Sequence, residues 1–324
     1  MKNHYIKFLI PIKNIYEIIR NYNFKTVTFF IDIMSISRGF YNVETIHFEI
    51  DNFVNNNKQM PNIFINECRA FYNDLFLKFK QYNPKFVTFY DDGKCIQNRT
   101  IYKEYKADRA KYIDKSLLED EEKQLFRSIK EYYFNEIIKY LSKDNLSYVI
   151  KLDDYEADFI PYFIIQNNLL NTFDKSNLNI ILSTDKDLLQ TCKFKNVIQC
   201  STVYNKKEGK IEFNLLFDET AIGYIYKNFK PGILTSEYIP LILAISGDIA
   251  DNIKGVRGIG EAKAYNLIVS NHLPSQIYEN IDFKNDILNK EKDIIIRNYK
   301  LISFDEQLKR IPLTYLNHLS KKLN

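Results

Sequence analysis

Three short apolar runs in the chain each lead directly into an aspartate. They are residues 27–31 before Asp32, residues 86–90 before Asp91, and residues 180–184 before Asp185. Continuous apolar runs of this length, separated by helical stretches, are typical of strands buried on both faces of a parallel sheet. Helices are predicted at about residues 62–82, 121–142, 155–170, 237–249 and 260–271. The pattern therefore predicts an α/β fold with a central, mostly parallel sheet flanked by helices.

The connections between these elements indicate how the chain is divided. No repeat of 20–50 residues and no long Pro/Gly/Ser linker interrupts it. We expect an N-terminal extension with a short helix at residues 1–25, followed by a single domain at residues 26–324. Residues 94–145 are too many for a simple connection, and we expect an insertion there. The first part of this insertion, residues 94–115, carries seven basic residues against three acidic ones.

Composition narrows the class of protein without identifying it. The 324 residues are 45% hydrophobic and 27% charged, with a net charge of +4, which is ordinary for a globular chain. No apolar run approaches the length of a membrane span, and the N-terminus lacks the pattern of a signal peptide. We expect a cytoplasmic protein that does not bind membranes. The four cysteines form no C-x-x-C pair, which argues against disulfide-rich and zinc-thiolate proteins.

The acidic residues at the strand ends are the main candidates for chemistry. Because ligands bind at the carboxyl ends of parallel strands, Asp32, Asp91 and Asp185 should meet at one edge of the sheet, with Asp187 beside them. Residues 153–158 bring further acids, and Asp248 and Asp251, three residues apart, should share one helical face. Acids gathered in this way repel one another unless hard divalent cations lie among them. Two such ions would suit phosphodiester hydrolysis, although any single Asp could equally be a cap or turn residue.

A glycine-rich turn at residues 255–260, between two predicted helices, is the second candidate site. Glycines let a backbone approach a phosphate closely, and the N-terminus of the following helix offers unpaired N–H groups. Arg257 and Lys263 add positive charge. Contacts of this kind position a protein on a nucleic-acid backbone without reading bases. A glycine turn alone is more often structural, but here it follows Asp248 and Asp251 directly.

Together these stretches resemble the structure-specific 5′-nuclease (flap endonuclease) family, above all its stand-alone phage members, and also the 5′-nuclease domain of bacterial DNA polymerase I. The resemblance covers about residues 26–305 and is strongest at residues 91–109, 181–189 and 248–260. It implies a PIN-like fold and two Mg²⁺ ions, for which Mn²⁺ can substitute. The acids that would serve these two metal sites are Asp32, Asp91, Glu156, Asp158, Asp185, Asp187, Asp248 and Asp251.

The same resemblance assigns roles to the basic insertion and to the glycine turn. The insertion would be a helical arch, with Lys106 at the scissile phosphate and Arg109 and Tyr105 beside it. A helix-three-turn-helix at about residues 238–271 would bind DNA, and its backbone carbonyls would hold a K⁺ ion. Its DNA-binding residues would be Gly255, Val256, Arg257, Gly258, Ile259, Gly260 and Lys263. The implied protein is a monomer that cleaves DNA with 5′ flaps or 5′ ends, including RNA-primed DNA, in replication and repair.

Two departures and three other functions remain open at this point. Asp92 competes with Asp91 as the metal ligand, although the spacing to Lys106 favours Asp91. Phe159 stands where the resemblance implies an acid in phage relatives. It could pack in the core, and its lack of a ligand oxygen could also leave one metal more weakly bound; the two interpretations are compatible. A PIN-like ribonuclease would usually lack the glycine turn, and a non-catalytic DNA-binding relative would have lost its acids. A phosphatase would not explain the turn.

Overall fold

The main sheet is the framework on which the acids are placed. The computed structural model describes residues 12–33, 35, 63–91, 93–107, 135, 138–142, 147–205, 210–226, 229–230 and 232–323. The strands of the main sheet are β1 (Thr26–Asp32), β2 (Lys85–Asp91), β3 (Tyr148–Leu152), β4 (Asn177–Leu182), β5 (Val197–Asn205) and β6 (Lys210–Leu216).

These six strands lie in the order β3-β2-β1-β4-β5-β6. The first five are parallel, and β6 pairs antiparallel with β5. The predicted fold class, an α/β fold with a mostly parallel central sheet, is confirmed. The chain runs from β1 towards β3 on one side and then returns to β4 on the other. This change of direction places the topological switch point between the carboxyl ends of β1 and β4, where ligands bind in such sheets.

Helices cover the sheet and continue to the C-terminus. Helix α1 (Ile12–Asn21) precedes β1; α2 (Ile63–Phe79), α3 (Ile96–Ile101) and α4 (Ile160–Gln166) lie between strands; and α5 (Asp218–Ile225) comes directly after β6. The helices after α5 are α6 (Ile239–Ser246), α7 (Glu261–Ser270), α8 (Asp286–Lys290), α9 (Lys292–Ile302), α10 (Phe304–Leu308) and α11 (Leu313–Leu323). The short strands β7 (Gly247–Asp248) and β8 (Ile253–Lys254) pair between α6 and α7.

The predicted helices are confirmed at α2, α6 and α7, although each is a few residues shorter than expected. The helix predicted at residues 155–170 is reduced to α4, because Asp154 adopts a left-handed φ of 68° and Pro161 lies in the first turn of the helix. Most of the helix predicted at residues 121–142 lies outside the described residues. The division into an extension and a single domain stays a prediction.

Apolar side chains on β1 point to both faces of the sheet. Phe29 and Ile31 belong to a core cluster on one face, whereas Phe30 belongs to a larger cluster on the other. This alternation follows from the period of two in a strand. The helix predicted in the N-terminal extension is present as α1, and its Ile15 and Ile19 are fully buried in the first cluster. None of the helices in the described part of the chain is long and apolar enough to cross a membrane.

Candidate metal centre and nucleic-acid interface

Asp32 and Asp185 lie at the switch point, where a serine joins them. Ser183 Oγ donates a hydrogen bond to Asp32 Oδ2 at 2.7 Å and accepts one from the Asp185 backbone N–H at 3.0 Å. Gln199 on β5 donates to the carbonyl oxygen of Asp185 at 2.7 Å and fixes the same loop from the other side. The predicted meeting of acids at the carboxyl edge is therefore present, and neutral polar side chains hold two of the acids in position.

Asp91 joins the end of β2 to the segment that carries Glu156 and Asp158. Its Oδ1 accepts the N–H of Gly93 at 2.8 Å, and its Oδ2 accepts the N–H of Ala157 at 3.1 Å. Because Ala157 lies between Glu156 and Asp158, this second bond brings both acids to the same edge of the sheet. Asp92, the competing candidate, lies outside the described residues.

Glu156 and Asp158 do not belong to a helix, contrary to the sequence prediction. Phe159 is the N-cap of α4, so it cannot share a helical face with Glu156. Its side chain is 1% exposed and lies in the core cluster with Ile160 and Phe163. The interpretation of Phe159 as a core residue is confirmed, whereas weaker binding of one metal stays a prediction.

Asp248 and Asp251 lie in β7 and in the turn after it, so the prediction that they share a helical face is wrong. Gly247 ends α6 with a φ of 83°, and the backbone then turns to pair β7 with β8. The turn nevertheless brings the two acids to Asp187. One carboxylate oxygen from each of the three lies within 4.8 Å of the others. Asp187 Oδ1 is also buried without a hydrogen-bond partner among the described residues. A bound cation would satisfy this oxygen.

The electrostatics of the site also favour bound cations. Burial raises the pKa of Asp187 well above its ordinary value, and the carboxylates of Asp185, Asp248 and Asp251 raise it further. Burial likewise raises the pKa of Asp158 well above the ordinary value, with Asp185 adding to the effect. The pKa of Asp185 is raised mainly by its burial. Ionised carboxylates in these positions therefore destabilise the metal-free protein.

Two lysines bring positive charge into this acidic edge. Lys106 is 7% exposed; its Nζ contacts Glu156 Oε1 and lies 3.4 Å from Asp251 Oδ2. Its backbone N–H donates to the Asp251 carbonyl at 2.9 Å. Lys186 Nζ lies 2.9 Å from Asp248 Oδ1. Burial lowers the pKa of Lys186, but the carboxylate of Asp248 outweighs that effect and leaves the pKa above its ordinary value.

Tyr105 is buried at the base of the predicted arch and hydrogen-bonds to two of the acids. Its hydroxyl lies 2.6 Å from Glu156 Oε2 and 3.0 Å from Asp251 Oδ2. Burial raises the pKa of the phenol well above its ordinary value, and Asp251 raises it further. The hydroxyl therefore stays protonated and serves as a donor to the acids. Arg109 and most of the predicted arch lie outside the described residues.

The glycine turn follows β8 and ends where α7 begins. Val256 and Ile259 lie in the core cluster, so only their backbones could face DNA. Arg257 and Lys263 are exposed, and Lys263 Nζ donates to the Gly258 carbonyl at 2.9 Å. Gly258 has a φ of 76°, which only glycine adopts without strain. Gly260 is the N-cap of α7, whose first N–H groups have no partner within the helix.

The backbone contact between Gly255 and the end of α6 leads to a stability prediction. A Cβ atom at Gly255 would lie 2.2 Å from the carbonyl carbon of Ser246, whereas one at Gly260 would meet nothing within 4 Å. We expect Gly255→Ala to lower the free energy of unfolding by about 1–3 kcal/mol, the usual cost of overpacking, and Gly260→Ala to change it little. Urea unfolding of the two variants measures the difference; equal stabilities would contradict the contact.

Comparison with curated proteins gives the family. No family model matches the chain. A 5′-3′ exonuclease of Buchnera aphidicola is 30% identical over 243 residues, which is 73% of this chain and 70% of that protein. The chain belongs to the 5′-3′ exonuclease family. The resemblance stated from the sequence is thereby confirmed. A second relative, the 5′-3′ exonuclease of Mycoplasmopsis pulmonis, is 28% identical over 73% of this chain and 68% of its own length.

This chain is also similar to one part of a longer protein. DNA polymerase I of Borreliella burgdorferi is 30% identical over 251 residues, 76% of this chain but only 24% of the polymerase. The chain thus spans about a quarter of the length of that relative.

Solved structures support the fold. A complex of the bacteriophage T5 flap endonuclease with DNA and metal ions aligns over 92% of this chain and 97% of its own, with a TM-score of 0.63 and 17% identity. The T5 5′-exonuclease with bound zinc ions has a TM-score of 0.58 over 92% of this chain and 98% of its own, with 18% identity.

Several residues that surround the acids of this 5′-3′ exonuclease relative were not identified from the sequence. Ser183, Gln199 and Lys186 contact or position the strand-end acids, and Asn98 donates to Glu156 at 2.8 Å. Gln199 could have been found, because a glutamine within an otherwise apolar strand needs a buried partner. Ser183 lies within the run at residues 180–184, two residues before Asp185. Nothing local to Asn98 distinguishes it from the other polar residues of the insertion.

Proposed function

We propose that this chain is a metal-dependent, structure-specific 5′-nuclease that hydrolyses phosphodiester bonds near the 5′ ends of branched or duplex DNA. It would act as a flap endonuclease and as a 5′-3′ exonuclease in replication and repair. The observation that carries the proposal is the gathering of carboxylates at one sheet edge, with Lys106 among them. Membership in the 5′-3′ exonuclease family supports it, and the T5 flap endonuclease, which has a similar fold, has been solved with both DNA and metal ions.

We propose that two Mg²⁺ ions bind at this edge, with Mn²⁺ as a substitute. The donors fit the group, since they are hard carboxylate oxygens, and one of them, Asp187 Oδ1, is buried without a partner in the described structure. One ion would be held by Asp187, Asp248 and Asp251; the acids for the other would be Asp32, Asp91, Glu156, Asp158 and Asp185. When bound, such ions lower the pKa of water and offset negative charge on the reacting phosphate.

The chain's own residues position the substrate and complete the charge balance. Lys106 already has its ammonium group between Glu156 and Asp251, so it is placed to contact a phosphate that binds at this edge. Tyr105 holds the same two carboxylates from the buried side. Because its ring is 1% exposed, we assign Tyr105 to the support of the acids. Arg109 remains a proposed contact of the arch with DNA.

DNA would bind along the glycine turn through its phosphates. The proposed contacts are the backbone of residues 255–260, the N-terminus of α7, and the exposed Arg257 and Lys263. Lys263 Nζ donates to the Gly258 carbonyl, so one carbonyl of this turn already faces a positive charge; we propose that a K⁺ ion binds to the carbonyls of the turn. We propose that the protein acts as a monomer on 5′ flaps or 5′ ends, including RNA-primed DNA.

A single assay tests the proposed function. A 5′-labelled flap duplex is incubated with the protein and Mg²⁺, with EDTA as the control, and the products are sized. We expect short 5′ products in Mg²⁺ and none in EDTA. A single-stranded RNA of the same sequence serves as the competing substrate. Cleavage of RNA alone would favour a ribonuclease, and binding of the flap without cleavage would favour a non-catalytic relative.

The glycine turn gives a prediction on DNA affinity. Gly260 has an extended backbone and space for a side chain, so Gly260→Leu should fold normally. We expect it to weaken duplex binding by about tenfold, the value of one hydrogen bond to a charged group. The loss should be the same for all sequences, and affinity should fall as salt rises. Ser270→Leu places the same side chain at the other end of α7 and is the control. Equal affinities for the two variants, measured by fluorescence anisotropy, would remove the turn from the interface.

A further inference from the structure

Glu156 is a proposed metal ligand whose position depends on other side chains. It lies in the segment between β3 and α4, where regular secondary structure does not fix its backbone. Two hydrogen-bond contacts are made to its Oε2, from Asn98 Nδ2 at 2.8 Å and from the Tyr105 hydroxyl at 2.6 Å. Its Oε1 faces the ammonium of Lys106. Oε1 also accepts a weak hydrogen bond from Cys95 Sγ at 3.6 Å. Oε1 is therefore the oxygen that faces a positive charge, and Oε2 is the oxygen that the amide and the phenol orient.

Asn98 is itself held by a residue near the end of the chain. Its Oδ1 accepts a hydrogen bond from Arg310 Nη1 at 2.9 Å. Because a guanidinium group has only donors, it requires the amide oxygen to face it. The Asn98 amide nitrogen must then face Glu156. The guanidinium thus sets the orientation of the amide, and the amide sets the orientation of the carboxylate.

Arg310 is fixed by two backbone carbonyls. Its Nη2 donates to the carbonyl of Lys300 on α9 at 2.9 Å, and its Nε donates to the carbonyl of Glu306 on α10 at 3.4 Å. Asn98 is 5% exposed, so water does not compete freely for its amide. The C-terminal helices are in this way connected to the acidic edge by a continuous series of hydrogen bonds.

We propose that Arg310 and Asn98 are positioning residues that orient the Glu156 carboxylate for metal binding. This inference rests on the proposed function. Partners of a metal ligand outside the coordination shell typically change metal affinity by about 10–100-fold when they are lost. The effect on the metal distinguishes this role from a purely structural one, which would lower stability and leave the affinity of the folded protein unchanged.

The test measures Mn²⁺ binding to the DNA-free protein by electron paramagnetic resonance. Arg310→Met keeps an unbranched apolar side chain and removes the guanidinium; Asn98→Leu replaces the amide by an apolar group with the same number of heavy atoms. We expect each to weaken binding of one Mn²⁺ ion by about tenfold. The double variant should bind no more weakly than Asn98→Leu, because Arg310 acts through Asn98. Arg310→Lys, which retains a donor, should recover part of the affinity.

Arg297→Met is the matched control. Arg297 Nη2 donates to Asn298 Oδ1 at 2.8 Å, an arginine–asparagine contact of similar length, but Asn298 donates to backbone carbonyls and not to a carboxylate. The Mn²⁺ affinity of Arg297→Met should equal that of the wild type.

Cleavage gives a second measurement. The Mg²⁺ concentration for half-maximal cleavage should rise in Arg310→Met, with the rate recovering at saturating Mg²⁺.

The outcomes separate this inference from the proposed function. A wild-type protein that neither binds Mn²⁺ nor cleaves flaps would overturn the proposed function. Wild-type binding with unchanged affinity in folded Arg310→Met and Asn98→Leu would overturn the positioning role alone. Circular dichroism and thermal unfolding in EDTA establish folding. If Asn98→Leu does not fold, Arg310→Met decides, since Arg310 is partly exposed. If neither folds, the comparison of Arg310→Lys with the wild type decides.

Discussion

We expect Asp187→Asn to lose flap cleavage by on the order of a thousandfold, because the variant removes a charged oxygen from the proposed site of a metal that would offset charge in the transition state. The same change should stabilise the metal-free protein. The pKa of Asp187 is raised by burial and by three neighbouring carboxylates, so its ionised form destabilises the fold at neutral pH, and a neutral amide removes that cost. Single-turnover cleavage and thermal unfolding in EDTA measure the two effects.

Two variants complete this experiment. Asp185→Asn should lose activity to a similar extent, since its carboxylate acts on Asp187 and is a proposed ligand of the other ion. Asp153→Asn changes an exposed acid just beyond the end of β3, paired with Lys151 at 2.7 Å, and should cleave like the wild type. Mg²⁺ should raise the unfolding temperature of the wild type more than that of Asp187→Asn. Full activity of Asp187→Asn in Mg²⁺ would falsify its assignment as a ligand.

The second large effect is expected for Lys106→Ala. We expect the single-turnover cleavage rate to fall by about a hundredfold, the usual cost of losing one electrostatic contact to the reacting group. Duplex affinity should change much less, because most of the proposed phosphate contacts lie along the glycine turn. The metal-free variant should lose stability, by about 3 kcal/mol, since Glu156 is left without its buried cation. Its stability thus changes in the opposite direction to that of Asp187→Asn.

Lys103→Ala is the control for Lys106→Ala. Lys103 is exposed and lies three residues earlier in the same segment, so a general loss of positive charge from the insertion would affect both variants. We expect Lys103→Ala to cleave at the wild-type rate. If Lys106→Ala also cleaved at that rate under single-turnover conditions, Lys106 would not contact the scissile phosphate.

The sheet and the acids at its edge could be predicted from the sequence because both depend on local patterns. A run such as residues 27–31 identifies a buried strand by itself, and the residue that follows it must lie at the carboxyl edge. The structure places Asp32 and Asp91 at strand ends as expected, with Asp185 three residues after β4. The glycine turn before α7 was likewise evident from its composition.

The helical predictions failed where the backbone leaves regular structure. Asp154 has a left-handed φ of 68°, which keeps Glu156 out of the helix. Gly247 turns the chain into the short β7–β8 pair, so that Asp248 and Asp251 converge through a turn. In both places, tertiary contacts select the conformation. The Ala157 N–H donates to Asp91, and Gly255 packs against the backbone of Ser246. Neither contact can be predicted from the spacing of residues along the chain.

The sequence by itself determined the fold class and which acids could bind metal, because strand burial and strand ends are properties of short segments. Only the tertiary structure decided what surrounds those acids. Lys106 lies 50 residues from Glu156 in the chain, and Arg310 lies 212 residues from Asn98. Such pairs meet only when the insertion and the C-terminal helices pack on the sheet. A buried carboxylate must find charge or donors wherever the folded chain brings them, so its partners depend on packing and not on sequence distance.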